Sequence, residues 1–346
     1  MRKQDEQIPG VPTLQDVAKA AGVSTATVSR CLNAPSVVSE KTRVRVMEAV
    51  KTLGYAPNFS AQALAAKRTN TFGAIVPTMA NAIFARGLQA FQEELQKSNI
   101  TMLVASSSYR PELEEEQIRA LVARGADALL LIGHDRSDDI YKFLERRGIP
   151  YVVAWVHDDG QSHVSIGFDN KLAMQSLTRA VLDLGHRRLG YITAQRIGND
   201  RAQARYGGLS DALSESGLSI DDVALEETDY SIKSGADAFD RILKRQPDTT
   251  VVMCGNDVLA AGALQKARSL GLQVPKDVSI TGFDDIDIAE IVSPALTTIH
   301  VPHRNMGRGA ASMLIEMSRD GTRPKSRELP AHIEWRGTLG PSPDQM

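Results

Sequence analysis

The stretch LQDVAKAAGVSTATVSRCLN, residues 14–33, decides the fold of the first part of this chain. Thr13 stands before it as a helix N-cap, and Ser24 caps a second run that is typical of a short helix. Ala18 and Gly22 are small enough for the two helices to cross closely through a tight turn, as a helix-turn-helix requires. The stretch therefore predicts that motif.

A third helix is expected to complete this small all-α unit. Ser39 is its predicted N-cap, and Gly54 stands where the helix should end. Between them, Val46, Val50 and Leu53 repeat at helical spacing. Each helix is short, but three of them can share one small core.

The exposed face of the second helix is short and polar, which suits entry into the major groove of DNA. Its residues are Thr25, Ala26, Ser29 and Arg30. Hydroxyls and backbone N–H groups at helix starts and turns can bind phosphates. The residues at such positions are Thr13, Ser24, Thr27, Asn33 and Ser39. A small helical bundle with ordinary caps is the alternative interpretation.

The charge of the chain favours the DNA interpretation. The formal net charge of the 346 residues is −2, but residues 1–70 carry 10 Lys and Arg against 5 Asp and Glu. The remainder carries 30 basic and 37 acidic residues. A basic piece joined to an acidic body indicates nucleic acid or an anionic membrane as the partner of the basic piece.

Composition and cysteine usage narrow the class of protein. With 42% hydrophobic and 24% charged residues, the chain is typical of a globular protein, not a disordered or fibrous one. Cys31 and Cys254 are too few and too far apart for a disulfide framework. The first residues lack the apolar run of a secretory signal, and ALLLI (128–132) is too short to span a bilayer. We therefore expect a cytoplasmic protein with no membrane association.

From Thr71 onward the pattern changes to that of an α/β protein. Apolar runs of four to six residues alternate with longer amphipathic stretches. The runs are FGAIV (72–76), TMLVA (101–105), ALLLI (128–132), YVVA (151–154), LGYI (189–192), VVMC (251–254) and VSITG (278–282). Such runs predict parallel strands covered on both faces, and their number favours two doubly wound lobes.

Several quoted motifs together resemble the lactose/galactose repressor family. Residues 13–68 do so through TLQDVAKAAGVSTATVSRCLN, VSEKTRVRVMEAVKTLGYAPN and AQALA. The resemblance continues to about residue 340 through GFDN (167–170), LGHRRLGYI (184–192), GNDVLAAGAL (255–264), GLQVPKDVSITGFDD (271–285) and PALTTIHVP (294–302). YRPELEEEQ (109–117) and GFDN are most similar to gluconate-type repressors.

The resemblance implies a fold and an organisation of domains. The fold is an all-α helix-turn-helix headpiece followed by an α/β periplasmic-binding-protein-like core of two doubly wound lobes. The expected domains are a flexible arm (1–12), the headpiece (13–57), a hinge helix and linker (58–70), the effector-binding and dimerisation core (71–340) and a tail (341–346). The expected N-lobe comprises about 71–167 and 300–325, and the C-lobe comprises about 168–299 and 326–340.

The resemblance also implies roles for particular residues at the operator. Thr25, Ala26 and Arg30 occupy the positions that read base edges, and Arg30 can bind a guanine through two hydrogen bonds. Ala26 departs from relatives with longer polar side chains, so it offers at most a methyl contact to thymine. Asn58 can cap the hinge helix, in which Leu64 corresponds to the leucine that wedges into the minor groove. Simple helix packing is the alternative for Leu64.

Ligands in open parallel sheets bind beyond the carboxyl ends of the strands, so the polar and aromatic residues there are the effector-binding candidates. They are Thr78, Phe84, Ser106, Tyr109, His134, Trp155, Phe168, Asp169, Arg201, Arg205, Tyr230, Asn256, Asp257 and Asp284. The resemblance implies that Arg205 and Asp284 contact the effector, and the Asn256–Asp257 pair matches the Asn-Asp step of the family motif.

These candidates combine planar rings with hydrogen-bonding groups, which suits a polyhydroxylated ring or chain. Arg201 beside Arg205 adds positive charge and favours a sugar acid, such as gluconate or a keto-gluconate, over a neutral sugar. The alternative for Arg201 is a solvated surface arginine. We leave His300 and His303 unassigned, because they can line the cleft or be solvated.

No motif of an enzyme, metal site or cofactor is present: the chain has no phosphate-binding loop, no H-E-x-x-H and no nucleophile elbow. Glu112, Glu114, Glu115 and Glu116 open a helix and are interpreted as a solvated face. We expect a homodimeric repressor that a sugar or sugar acid releases from a palindromic operator. A co-repressor-dependent regulator or a solute-binding protein for another class of ligand is the alternative, and a sugar-handling enzyme is disfavoured.

Overall fold

The computed structural model describes residues 11–56, 68–157 and 163–345. The chain divides into two compact units, Met1–Thr69 and Asn70–Met346. Each unit has its own hydrophobic core, and each is described by itself below. None of the helices within the described ranges is long and apolar enough to cross a membrane.

The first unit contains the three predicted helices, which are α1 (Leu14–Ala21), α2 (Thr25–Asn33) and α3 (Glu40–Leu53). Thr13 and Asp16 cap α1 reciprocally: the N–H of Thr13 donates to the Asp16 carboxylate at 2.8 Å, and the N–H of Asp16 donates to the Thr13 hydroxyl at 3.3 Å. Gly22 and Gly54 end α1 and α3 in the left-handed region, with φ of 60° and 63°. Local sequence chemistry thus fixes both ends of α1.

A small apolar core joins the three helices. Its fully buried residues are Val17, Ala18, Ala21, Val28, Cys31 and Val46. Cys31 is a free thiol inside this core. Ser39 occupies the expected N-cap of α3, but its hydroxyl donates to the Thr42 hydroxyl at 3.0 Å and makes no capping bond to the backbone. Ser39 therefore stands at the predicted position, but it does not form the hydrogen bond of an N-cap.

The second unit begins with a six-stranded parallel sheet in the order β11-β5-β4-β3-β1-β2. Its strands are β1 (Thr71–Val76), β2 (Thr101–Ser106), β3 (Ala128–Ile132), β4 (Tyr151–Ala154), β5 (Ser165–Gly167) and β11 (Arg327–Glu328). The helices of this N-lobe are α4 (Ala82–Gln96), α5 (Pro111–Ala123), α6 (Asp138–Arg147) and α12 (His303–Asp320). Helix α12 packs along α4.

Both faces of this sheet are covered, as the continuous apolar runs predict. Leu130 of β3 faces the side on which Phe91 is buried, and its neighbours Leu129 and Leu131 face the side on which Ile118 is buried. Strand β2 lies at the edge of the sheet and is only partly covered. Successive side chains of this fully apolar strand therefore enter two separate cores, one on each face of the sheet.

The C-lobe contains a four-stranded parallel sheet in the order β7-β6-β8-β9. Its strands are β6 (Leu189–Thr193), β7 (Ala224–Glu227), β8 (Val251–Cys254) and β9 (Ser279–Thr281). Its helices are α7 (Asn170–Asp183), α8 (Asp200–Glu215), α9 (Ile232–Arg245), α10 (Asp257–Ser269) and the short α11 (Ile288–Ile291). Every predicted apolar run forms a strand, and Cys254 is buried at the end of β8.

The crossover segments differ from expectation in one respect. Strand β10 (Thr298–His300) pairs antiparallel with β12 (His332–Glu334) in a separate two-stranded sheet. The expected return to the C-lobe at residue 326 is too early, because Arg327 and Glu328 form β11 beside β5 in the N-lobe sheet. The chain leaves the N-lobe only after this strand, whose exposed polar residues carry no apolar signal.

Candidate functional site

Helix α2 presents the predicted DNA-reading surface of the first unit. Thr25, Ala26 and Arg30 are exposed, and Ser29 is half-buried between them. Thr25 and Ser29, like Ala26 and Arg30, are four residues apart and therefore lie on one helix face. Val28 is completely buried on the opposite side and anchors the helix. The geometry thus presents a small polar face of the kind that contacts base edges.

Three of the predicted phosphate-binding residues, Thr13, Ser24 and Thr27, take part in the hydrogen bonds of helix caps. The Thr13 hydroxyl donates to the Asp16 carboxylate at 2.7 Å, and this bond lowers the pKa of Asp16. The Ser24 hydroxyl accepts from the N–H of Thr27 at 3.2 Å and lies 3.0 Å from the Thr27 hydroxyl. These caps fix the helix starts whose backbone N–H groups are the remaining donors for phosphate.

Three of the predicted DNA-binding features have no structural description. Asn58 and Leu64 lie outside the described residues, and so does the side chain of Asn33. Ser39 is exposed at the start of α3. The roles of these residues stay predictions.

The second unit contains a cavity at the carboxyl ends of its strands, with about 360 Å³ of atom-free space that is partly open to solvent. Most of the predicted effector residues line the cavity, namely Phe84, Tyr109, Trp155, Phe168, Arg201, Arg205, Tyr230, Asn256 and Asp284. They come from both lobes, so the cavity lies between them.

Arg205 of α8 is the centre of the polar wall, and its residue surface is 6% exposed. Its Nη1 donates to Asn170 Oδ1 at 2.9 Å, and its Nη2 donates to the Tyr230 hydroxyl at 3.2 Å. The guanidinium also stacks over the Phe283 ring at 4.8 Å. Its Nε–H finds no acceptor among the described residues, so one donor is left for a ligand.

Two further polar groups line the cavity. Asn256 uses its Oδ1 to accept from the N–H of Leu259 at 2.9 Å, while its Nδ2 has no partner within the described ranges. Burial raises the pKa of the Asp284 carboxyl well above its usual range, although the charge of Arg205 opposes this shift. The wall thus offers donors and a carboxyl group to a ligand with hydroxyls.

Aromatic rings form the opposite wall. Trp155 is 3% exposed, and its ring lies 5.5 Å from that of Phe84. The indole occupies a slot that glycine creates: a Cβ at Gly87 would overlap the ring, and a Cβ at Gly307 of α12 would overlap the backbone of Gly87. The close contact of α4 and α12 therefore fixes the position of Trp155.

Arg201 is buried, so the interpretation as a solvated surface arginine is wrong. Its Nη1 donates to Asp200 at 2.7 Å and to the carbonyl of Ile132 at 3.3 Å. The same Asp200 carboxylate accepts from the backbone N–H of His134. Because α8 belongs to the C-lobe and β3 to the N-lobe, these bonds join the two lobes at the rim of the cavity.

Several predicted effector residues do not line the cavity. They are Thr78, Ser106, His134, Asp169 and Asp257. Thr78 and Ser106 bind the backbone at strand ends, since the Thr78 hydroxyl accepts from the N–H of Ala80 at 3.1 Å and the Ser106 hydroxyl donates to the carbonyl of Pro77 at 3.2 Å. His134 contributes its backbone N–H to the lobe contact described above.

The two predicted aspartates serve the fold instead. Asp169 caps α7 by accepting from the N–H of Leu172 at 2.9 Å. Asp257 is completely buried and accepts from the Thr298 hydroxyl at 2.6 Å and from the N–H of Ile286 at 2.8 Å. Burial raises its pKa to about 7. Asp169 is thus used at a helix start, Asp257 joins Thr298 of β10 to the backbone at Ile286, and neither residue lines the cavity.

The sequence reasoning missed four lining residues, namely Asn81, Ile83, Asn170 and Asn199. Asn81 and Asn199 are N-caps of α4 and α8, and Asn170 is the first residue of α7. Asparagines at the starts of helices that follow strands were the available signal, because that edge of the sheet is where ligands bind. The prediction covers polar and aromatic residues at that edge but does not include these asparagines.

A helix-turn-helix unit joined to a two-lobed core, with a polar and aromatic cavity between its lobes, defines the class of bacterial transcriptional regulators with a sensor domain. Two family models match the chain. Residues 13–58 match the bacterial regulatory proteins of the lacI family, and residues 178–339 match a periplasmic binding protein-like domain.

Similar proteins and solved structures point to the same class of protein. The chain is 31% identical over 329 residues to the HTH-type transcriptional regulator GntR of Escherichia coli, covering 95% of this chain and 98% of that protein. It is 32% identical over 311 residues to the HTH-type transcriptional repressor PurR of Aliivibrio salmonicida, covering 89% and 92%. A LacI-family regulator from Silicibacter pomeroyi has a TM-score of 0.88 at 28% identity, covering 95% of this chain and 99% of that one.

The lac repressor dimer bound to operator and an anti-inducer has a TM-score of 0.83 at 26% identity, with coverage of 95% and 99%. The chain belongs to the lactose/galactose (lacI) repressor family. It is a DNA-binding transcriptional regulator, and the relatives named here are regulators rather than enzymes. The predicted fold class is confirmed.

Proposed function

We propose that this regulator is a homodimeric repressor, acting in the cytoplasm, that a gluconate-like sugar acid releases from a palindromic operator. The observation that carries the proposal is the polar wall of the cavity, where Arg205 Nε and Asn256 Nδ2 lack acceptors beside the buried Asp284 carboxyl. A polyhydroxylated acid supplies acceptors for both donors and hydroxyls for the carboxyl group. The ring of Trp155 offers an apolar face to the C–H groups of such a ligand.

Charge favours an acid over a neutral sugar. The charge of Arg201 is offset by Asp200, which leaves Arg205 and Asp284 as the central pair. Because burial raises the pKa of Asp284, that carboxyl takes up a proton more easily than an exposed one. Arg205 can then serve a ligand carboxylate, and Arg–carboxylate pairs are among the stronger hydrogen-bonded contacts.

Operator recognition follows from the exposed face of α2. In a dimer, two such helices enter successive major grooves, and the two hinge segments around Leu64 meet at the operator centre. Thr25 and Arg30 read base edges, while Ala26 offers a methyl group. Closure of the lobes on the effector alters the hinge segments and lowers operator affinity. By thermodynamic reciprocity, bound operator must weaken effector binding to the same extent.

The test measures ligand and operator binding on the full chain. Calorimetry with D-gluconate, 2-keto-D-gluconate and D-glucose identifies the ligand class, and gel shifts on an operator selected from random DNA measure the response. We expect Arg205→Ala to lose the response to the acids while retaining operator affinity. Arg179→Ala serves as the matched control, because Arg179 forms an exposed ion pair with Glu215 away from the cavity.

Three results would contradict parts of the proposal. Binding of D-glucose alone would exclude an acid, and a rise of operator affinity on adding the ligand would identify a co-repressor. Unaltered calorimetric affinity in the Arg205→Ala variant would remove Arg205 from the site.

A further inference from the structure

We propose that His303, which does not line the cavity, is the positioning residue that holds Trp155 and Asp284 in place and joins the two lobes around the effector. His303 is the first residue of α12 and is 4% exposed. The three residues come from separate parts of the chain, which the crossover between β10 and α12 brings together. The part of the inference that concerns ligand affinity rests on the proposed function.

Both ring nitrogens of His303 have defined partners. The indole Nε1–H of Trp155 donates to His303 Nδ1 at 3.3 Å, and His303 Nε2 lies 3.0 Å from the carbonyl oxygen of Asp284. An indole is only a donor and a carbonyl is only an acceptor, so His303 must be neutral with its proton on Nε2. Burial lowers the pKa of His303 to about 4, which agrees with the neutral ring.

The two residues that His303 holds have unusual backbones. Trp155 has a φ of 63° and Asp284 a φ of 110°, although neither is glycine. Such conformations persist only where the surroundings over-determine them, and they cluster at ligand sites. His303 fixes the side chain of Trp155 and the carbonyl of Asp284 at once, so both cavity walls depend on one imidazole.

The contacts close into a ring around the cavity. Arg205 donates to Asn170 Oδ1 at 2.9 Å, and Asn170 Nδ2 donates to the carbonyl of Trp155 at 3.0 Å. The Trp155 indole continues to His303 and then to Asp284, whose carboxyl is attracted to Arg205. The ring passes from the C-lobe to the N-lobe and back. Its other four members line the cavity, so a change at His303 reaches a ligand only through them.

Two substitutions of His303 distinguish the effect of its hydrogen bonds from the effect of its volume. His303→Phe keeps a ring of similar size and removes both bonds, whereas His303→Gln keeps an acceptor and a donor. The full chain labelled with ¹⁵N-tryptophan gives two indole signals, from Trp155 and from Trp335, which is 55% exposed and serves as the internal reference. This readout requires no ligand.

We expect the Trp155 indole proton to exchange slowly in the wild type, at least tenfold faster in His303→Phe and at an intermediate rate in His303→Gln. The Trp335 signal should stay the same in all three proteins. An unaltered Trp155 exchange rate in folded His303→Phe would overturn the positioning role. Equal rates in the Gln and Phe variants would overturn it as well, because ring packing rather than hydrogen bonding would then fix the indole.

Calorimetry with D-gluconate tests the consequence for the ligand. We expect the Kd to rise about tenfold in His303→Phe, because both hydrogen bonds that fix the cavity walls are lost, and to rise less in His303→Gln. A gluconate Kd that is the same in all three proteins would overturn the link to the effector. If the wild type does not bind gluconate, the proposed sugar acid fails, while the indole exchange still decides the role of His303.

Discussion

A buried neutral histidine makes the stability of the second unit depend on pH. The pKa of His303 is about 4 in the folded chain against 6.5 for an unperturbed histidine. Below pH 6.5 the unfolded chain therefore binds a proton that the folded chain does not, so stability falls as the pH falls from 6.5 to about 4. A difference of this size corresponds to about 3 kcal/mol, undiminished by solvent because His303 is 4% exposed.

Urea denaturation of the full chain, followed by tryptophan fluorescence, measures this loss. Both tryptophans lie in the unit Asn70–Met346, so the signal reports that unit alone. His303→Phe is the reference because it lacks the titrating group and keeps the other ones. The titratable groups whose charges influence the pKa of His303 are Arg86, His300 and Asp285, and all three remain in the variant.

We expect the stability advantage of the wild type over His303→Phe to shrink by about 3 kcal/mol between pH 6.5 and pH 4. Above about pH 7.5 the difference should be constant, since His303 is then neutral in both states. A difference that stays constant down to pH 4 would refute the buried neutral imidazole. A difference that grows on acidification would show that His303 is stabilised in its charged form.

Three substitutions test other parts of the molecule. Gly87→Ala places a Cβ on the Trp155 indole, so we expect the free energy of unfolding to fall by about 1–3 kcal/mol and effector binding to weaken. An unchanged urea midpoint would contradict the claim that Gly87 makes room for the indole. Gly22→Ala places a side chain at a φ of 60°, so we expect the free energy of unfolding to fall by about 1–2 kcal/mol. The midpoint of the first thermal transition seen by circular dichroism should then fall, and an unshifted midpoint would argue against a left-handed cap. Leu64→Ala should weaken operator binding in gel shifts and leave effector affinity unchanged, and equal operator affinity would exclude the wedge.

The fold could be predicted where local chemistry decides it. The left-handed glycines, the Thr13 cap and the continuous apolar strands each depend on residues close in sequence or on simple burial. Strand β11 could not be predicted, because Arg327 and Glu328 are exposed and form a strand only through their pairing with β5. Short edge strands carry no hydrophobic signal of their own.

The cavity could be predicted in part for a related reason. Large or charged residues after strand ends, such as Arg205 and Trp155, were expected at the cavity and do line it. The sequence favours Asp169, but its neighbour Asn170 lines the cavity instead. Only the direction of α7 decides which of the two residues turns inward. His303 stayed unassigned because its partners are 148 and 19 residues away in sequence.

Each unit of the chain contains one buried free thiol, Cys31 in the core of the three helices and Cys254 at the end of β8. Burial raises the pKa of the Cys254 thiol, which keeps it in its unreactive protonated form. An alkylating reagent therefore modifies either cysteine only when its own unit opens. Mass spectrometry of the two cysteine-containing peptides gives the opening rate of each unit from one sample. Comparison of these rates with and without operator would show which unit the DNA protects.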